Sequence, residues 1–225
     1  DNQIKEAVQQ ARNSDLAILV VGENSMRYHW NEKTCGENSD RYELSLPGRQ
    51  QELVEAVAAT RVPTVVILVN GRPLTTEWIA ENMPCIIEAW EPGVAGGQAL
   101  AEILYGQVNP SGKLPITIPR STGQIQCMYN HKFTNHWFPY ATGNSLPLYE
   151  FGYGLSYTTY KYDHLKLSEA SITPDKSVKV TVDVTNTGKM DGEETVQLYI
   201  RDEYSSATRP VKELKDFARI PLKAG

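Results

Sequence analysis

Hydrophobic and polar positions follow two different periods along this chain. Ile4, Ala7, Val8 and Ala11 recur at helical spacing, and residues 16–21 then form an unbroken apolar run of the kind seen in strands buried on both faces. The same change of period repeats downstream. A helix over 48–60 carries Val54, Val57 and Ala58, and the β-branched run 64–69 is the next strand, ended by the turn signal Asn70-Gly71-Arg72-Pro73. A short helix over 75–81, a strand over 85–90 and a helix over 96–105 complete the series. With the first helix placed over 2–13, this alternation predicts a mostly parallel, doubly wound α/β sheet, an α/β sandwich. An exposed edge or an antiparallel hairpin at 16–21 would contradict that arrangement.

Past Lys113-Leu114-Pro115-Ile116-Thr117-Ile118-Pro119 the pattern breaks down into turn residues and aromatics with no sustained period. From Tyr160 onward strict alternation begins: Val178, Val180, Val182 and Val184 share one strand face, and Val196, Leu198 and Ile200 another. The chain therefore divides into an α/β part over 1–120, a connector over 121–158 and the opening three or four strands of a β-sandwich over 159–225, fewer than the seven such a module normally contains.

Composition narrows the function. A chain of 225 residues with 40% hydrophobic residues can bury a core of ordinary size. A net charge of −5 and the lack of any basic run argue against a nucleic-acid partner, and no apolar stretch is long enough to span a bilayer. The start, Asp1-Asn2-Gln3, has neither an initiator Met nor a signal-peptide pattern, so more sequence is expected upstream. Cys35, Cys85 and Cys127 lack metal-type spacing, so no metal is expected.

Candidate chemistry collects between the first strand and the second helix. This loop holds Glu23, Glu32, Glu37, Asp40 and Glu43 among Arg27, Tyr28, His29, Trp30, Lys33 and Arg41. Ligands of open α/β sheets gather beyond the carboxyl ends of the strands, which is where this loop leaves the sheet. Any single loop Glu is ordinarily a solvated charge or a cap. Trp90, at the end of a strand, reads as core packing, and the glycines at 93, 96 and 97 as close helix packing, because no phosphate-loop pattern accompanies them.

Several short motifs run in a fixed order: Val21-Gly22-Glu23, Gly36-Glu37-Asn38-Ser39-Asp40-Arg41, Leu46-Pro47-Gly48-Arg49-Gln50, Asn70-Gly71-Arg72-Pro73-Leu74, Glu88-Ala89-Trp90-Glu91-Pro92-Gly93, Asn109-Pro110-Ser111-Gly112-Lys113-Leu114-Pro115 and Phe151-Gly152-Tyr153-Gly154-Leu155-Ser156-Tyr157. Together they resemble the second domain of glycoside hydrolase family 3, the β-glucosidase and β-xylosidase family, and the last third resembles the fibronectin type III-like domain that follows it in many members. The resemblance implies a retaining exo-β-glycosidase with two carboxyl groups about 5 to 5.5 Å apart. It places the nucleophile, an Asp, on a preceding barrel domain outside this chain, and the general acid/base on the loop described above. Glu37 matches the Gly-Glu…Asp-Arg setting and is the first choice. Glu32 is the alternative, and Glu23, Asp40 and Arg41 would hold the loop in place. Trp30 and Tyr28 would line the sugar pocket, and burial of Glu37 against them would favour its protonated form.

What the resemblance further implies is a terminal β-D-glucosyl group on a β-linked oligosaccharide or glycoside, with β-xylosidase or α-L-arabinofuranosidase activity as the alternative. No cofactor is implied, and the expected location is periplasmic or secreted. Two readings from other classes stay open at this point. One is a non-catalytic carbohydrate-binding or interaction module. The other is a dinucleotide-binding enzyme, against which the missing glycine fingerprint counts.

Overall fold

The computed structural model describes residues 2–25, 30–133 and 140–225, with the backbone alone at Trp30. Helix α1 (Asn2–Arg12) leads into β1 (Ala17–Gly22), and α2 (Gln50–Ala58), β2 (Thr64–Val69), α3 (Glu77–Asn82), β3 (Cys85–Glu88) and α4 (Gly96–Leu104) follow. The three strands form one sheet in the order β1-β2-β3, parallel throughout, with Val21 opposite Leu68 and Ile67 opposite Ile87. The predicted α/β class and element order hold; α2 closes at Ala58 rather than at 60, α3 opens at Glu77 rather than at 75, and two further boundaries move for local reasons. Gly48 has φ +61, a left-handed conformation that no helix interior admits, so α2 opens at Gln50 rather than at 48. Trp90 has φ +52, which ends β3 at Glu88 instead of at 90.

Strand β2 is the apolar centre, with Val66, Ile67 and Leu68 all at most 4% exposed. Val21, Val54, Leu68, Leu74, Ile79 and Met83 form the main core cluster, each buried side chain contributing on the order of 2 kcal/mol. Strand β1 departs from expectation. It is the edge of the described sheet, and one of its faces is open, with Leu16 50%, Ile18 47% and Val20 62% exposed. Its apolar run reads as buried on both faces because Leu16, Ile18 and Val20 are as apolar as Leu19 and Val21. Composition alone does not show that only the latter face is covered within this chain. The strand is nonetheless parallel to β2 and takes no part in a hairpin.

The connector is more ordered than its composition suggests. Leu114 donates to Tyr153 O at 2.8 Å and accepts from Gly152 N at 2.8 Å, and Ile118 bridges Tyr149 antiparallel, so the proline-rich exit of the α/β part is met by a returning strand-like segment. Beyond it, β4 (Tyr160–Leu167) pairs with β5 (Val180–Asn186), and β6 (Gly192–Ile200) pairs with β7 (Glu213–Leu222), both antiparallel. Asn186 ties the two pairs together. It is 1% exposed; its Oδ1 accepts from Thr158 Oγ1 at 2.6 Å and Gly188 N at 3.0 Å, and its Nδ2 donates to Met190 O at 2.8 Å and Leu222 O at 3.3 Å.

Candidate active site

The site is built at the carboxyl end of the parallel sheet. At the last residue of β1, Gly22, a Cβ would stand 1.9 Å from Val69 O, so only glycine lets the two strands end side by side there. Gln50 on the first turn of α2 accepts from Gly22 N at 2.6 Å and donates to Gly22 O at 2.8 Å, holding helix and strand together. The next residue, Glu23, donates its N–H to Val69 O at 2.8 Å and points its carboxylate inward, with no exposed side-chain surface.

From Glu23 the chain leaves as a loop closed on itself. Asn24 O accepts from Thr34 N at 2.8 Å and Cys35 N at 3.3 Å, while Asn24 N donates to Thr34 Oγ1 at 2.7 Å. A tight turn follows, with Ser39 N donating to Gly36 O at 3.1 Å and Asn38 left-handed at φ +58. Glu37 and Asn38 are the two central residues of that turn, and both are exposed. Lys33 Nζ donates to Glu37 O, and Arg72 Nη2 donates to Ser39 O at 2.7 Å.

Charge is concentrated beneath this turn. Glu23 Oε1 lies 3.4 Å from Arg41 Nη1 and 3.3 Å from Arg72 Nε, and Arg72 Nη1 lies 3.7 Å from Asp40 Oδ1. Glu23 Oε2 is buried with no hydrogen-bond partner among the described residues. Glu88, at the end of β3, accepts from Trp90 N at 3.3 Å and is hydrogen-bonded by Asn70. Burial pushes its carboxyl up to about 7, and those two hydrogen bonds only partly oppose the shift. Burial, then the carboxylates of Glu23 and Glu91, push the Cys35 thiol up, the opposite of what a nucleophile requires.

The candidate residues read from sequence fall as follows. Glu37 is at the tip of the turn, and Glu23, Asp40 and Arg41 belong to the charged group under it. Glu32 lies in a separate helical turn, Trp30–Glu32, exposed, with its carbonyl accepting from Asn24 Nδ2 at 3.4 Å. Tyr28 and the Trp30 side chain lie outside the described residues. Glu37 is exposed, and the side chains against which the sequence reading buries it, Tyr28 and Trp30, are not among the described ones. Arg72 and Glu88 are the residues that reading passes over. Both sit in motifs that carry the family resemblance but are given no role of their own, although each lies just past the carboxyl end of a strand or at it. Among the described residues no group of His, Cys, Asp and Glu is arranged to hold a metal ion.

Residues 1–157 match the family model described as Glycosyl hydrolase family 3 C-terminal domain. The chain belongs to glycosyl hydrolase family 3. Residues 194–225 match a Fibronectin type III-like domain. The chain is similar to a β-xylosidase of Formosa agariphila, 46% identical over 98% of this chain and 30% of that protein. It is also similar to a periplasmic β-glucosidase of Salmonella typhimurium, 42% identical over 99% of this chain and 29% of that protein. Among solved structures, a β-glucosidase from Erythrobacter marinus matches with a TM-score of 0.92 at 42% identity, covering 99% of this chain and 29% of that one. The β-glucosidase from Listeria innocua in complex with glucose gives 0.90 at 33% identity, over 100% of this chain and 32% of that one.

This family 3 chain thus spans about 30% of the length of the curated relatives it matches. The edge position of β1 does not count against the family 3 fold, since the likeness to the Erythrobacter enzyme runs through β1 and nearly the whole chain. No helix among the described residues is long and apolar enough to cross a membrane.

Proposed function

We propose that this chain is the part of a retaining exo-β-glycosidase that supplies the general acid/base, Glu37. The observation that carries the reading is the turn over 36–39. It presents Glu37 outward at the carboxyl end of the sheet while Lys33 and Arg72 hold the carbonyls of Glu37 and Ser39. An exposed carboxyl on a fixed turn is suited to meet a second carboxyl brought by another domain.

In this mechanism an Asp on a preceding barrel domain attacks the anomeric carbon as the glycosidic C–O bond breaks, and Glu37 gives its proton to the departing oxygen. Glu37, now a carboxylate, takes a proton from water as the water oxygen attacks the anomeric carbon and releases the Asp. Two inversions retain configuration. Tyr28 and Trp30 would line the leaving-group side, and Glu23, Asp40 and Arg41 would keep the loop in place. The divisions 1–120, 121–158 and 159–225 would act as acid/base domain, connector and opening of the fibronectin type III-like domain.

Terminal β-D-glucosyl groups of a β-linked oligosaccharide are the first choice of substrate, supported by the names of the Salmonella and Listeria relatives. Xylosyl groups are the second, favoured by the name of the Formosa relative. The periplasmic relative supports a periplasmic or secreted enzyme. The test is hydrolysis of aryl β-glucosides and β-xylosides by the full-length protein, with the product anomer followed by NMR. Release of the β-anomer first supports the reading; inversion, or sugar binding with no turnover, contradicts it. The 225-residue chain alone is expected to release no glucose from cellobiose, because it lacks the nucleophile and the positioning worth on the order of 10⁵ M in effective concentration.

A further inference from the structure

We propose that Arg72 is the positioning residue of the acid/base turn, a role that rests on the assignment of Glu37. Arg72 lies three residues past the end of β2, the strand next to the one that launches the loop. All three of its guanidinium nitrogens are engaged. Nε pairs with Glu23 Oε1 at 3.3 Å, Nη2 donates to Ser39 O at 2.7 Å, and Nη1 faces Asp40 Oδ1 at 3.7 Å. One side chain therefore ties the root of the loop, at Glu23, to the two residues that follow the tip. Behind it, Asn70, which is 1% exposed, donates to Arg72 O at 2.8 Å and fixes the backbone from which the guanidinium extends.

Two features show that this contact sets position more than it adds stability. The Glu23 side chain has no exposed surface and leaves Oε2 without a partner among the described residues, and a buried ion pair of that kind contributes little net stability even though removing one member is costly. The turn itself buries nothing at Glu37 or Asn38, so packing does not fix its location and the clasps at Lys33 and Arg72 do. A planar fork with three nitrogens aimed at three acceptors cannot be reproduced by an ammonium group. A shift of about 1 Å in a catalytic group costs on the order of 100-fold in rate.

The experiment uses the full-length enzyme as Arg72→Lys and as Arg72→Met/Glu23→Gln, the second of which removes the cation together with the buried anion it would leave unpaired. Two readouts are taken: kcat/KM over a series of aryl β-glucosides of graded leaving-group pKa, and amide hydrogen exchange over residues 37–41. Loss of at least about 10-fold on the poorest leaving groups, with change under about 3-fold on the best, is expected in both variants, since only poor leaving groups need the proton. Exchange at 37–41 should quicken by about 10-fold or more. Equal losses across the series in folded protein, or unchanged exchange, would overturn the role of Arg72. If Glu37→Ala itself shows no leaving-group dependence, the acid/base assignment fails instead, and this role of Arg72 fails with it even where exchange quickens.

Discussion

The side chain of Gln50 pairs with both backbone groups of Gly22, accepting at 2.6 Å and donating at 2.8 Å, so the start of α2 is fastened to the end of β1. The loop carrying Glu37 runs between these two points, and its span is set by that single amide. Gln50→Leu removes both hydrogen bonds from half-buried partners, and a loss of about 1–3 kcal/mol is expected, read as a lower urea midpoint. Gln50→Glu keeps the acceptor for Gly22 N–H but sets a carboxylate against Gly22 O, and should recover little of it.

Glu88 makes stability depend on pH near neutrality. Its carboxyl is pushed from an ordinary value of 4.5 to about 7 in the fold, chiefly by burial. Between those values the folded chain holds a proton that the unfolded chain has released, so stability falls as pH rises and the loss is complete above about 7. The shift corresponds to at most about 3 kcal/mol. Glu88→Gln should therefore raise the unfolding midpoint relative to the parent at pH 8 and leave it unchanged, or slightly lower, at pH 4. A gain that is the same at both pH values would contradict this.

In the β part, Asn186→Ala takes four hydrogen bonds from a buried site at once. A cost of about 2–4 kcal/mol is expected, measured as faster amide exchange in both β4–β5 and β6–β7, since the side chain touches both strand pairs. Asn186→Asp should be nearly as harmful, because it loses the donors to Met190 O and Leu222 O.

Much of the fold is legible in the sequence because the α/β elements carry clear periods: Thr64–Val69 is recognisable from β-branching alone, and Val54 with Val57 marks the inner face of α2. The terminal errors arise where backbone conformation rather than side-chain polarity ends an element, as at Gly48 and Trp90. Whether β1 is covered on both faces is not encoded in its six residues, since exposure there depends on what packs against it. At the site, the acids are visible as an excess of charge in a loop. Their partner is not, because Arg72 is brought to the loop from beyond the neighbouring strand, 49 residues after Glu23 and 33 after Ser39 in sequence. Only the parallel register sets the end of β2, and with it Asn70 and Arg72, beside Glu23.

Whether Glu37 is the proton donor and acceptor is decided by comparing Glu37→Ala and Glu32→Ala in the full-length enzyme on an unactivated disaccharide and on an activated aryl glycoside, with and without azide. The account predicts that Glu37→Ala slows the disaccharide by on the order of 100-fold or more but the aryl glycoside far less, with azide restoring part of the loss as a glycosyl azide, while Glu32→Ala stays near the parent. Equal losses on both substrates for Glu37→Ala, together with a leaving-group-dependent loss for Glu32→Ala, would contradict it and move the role to Glu32.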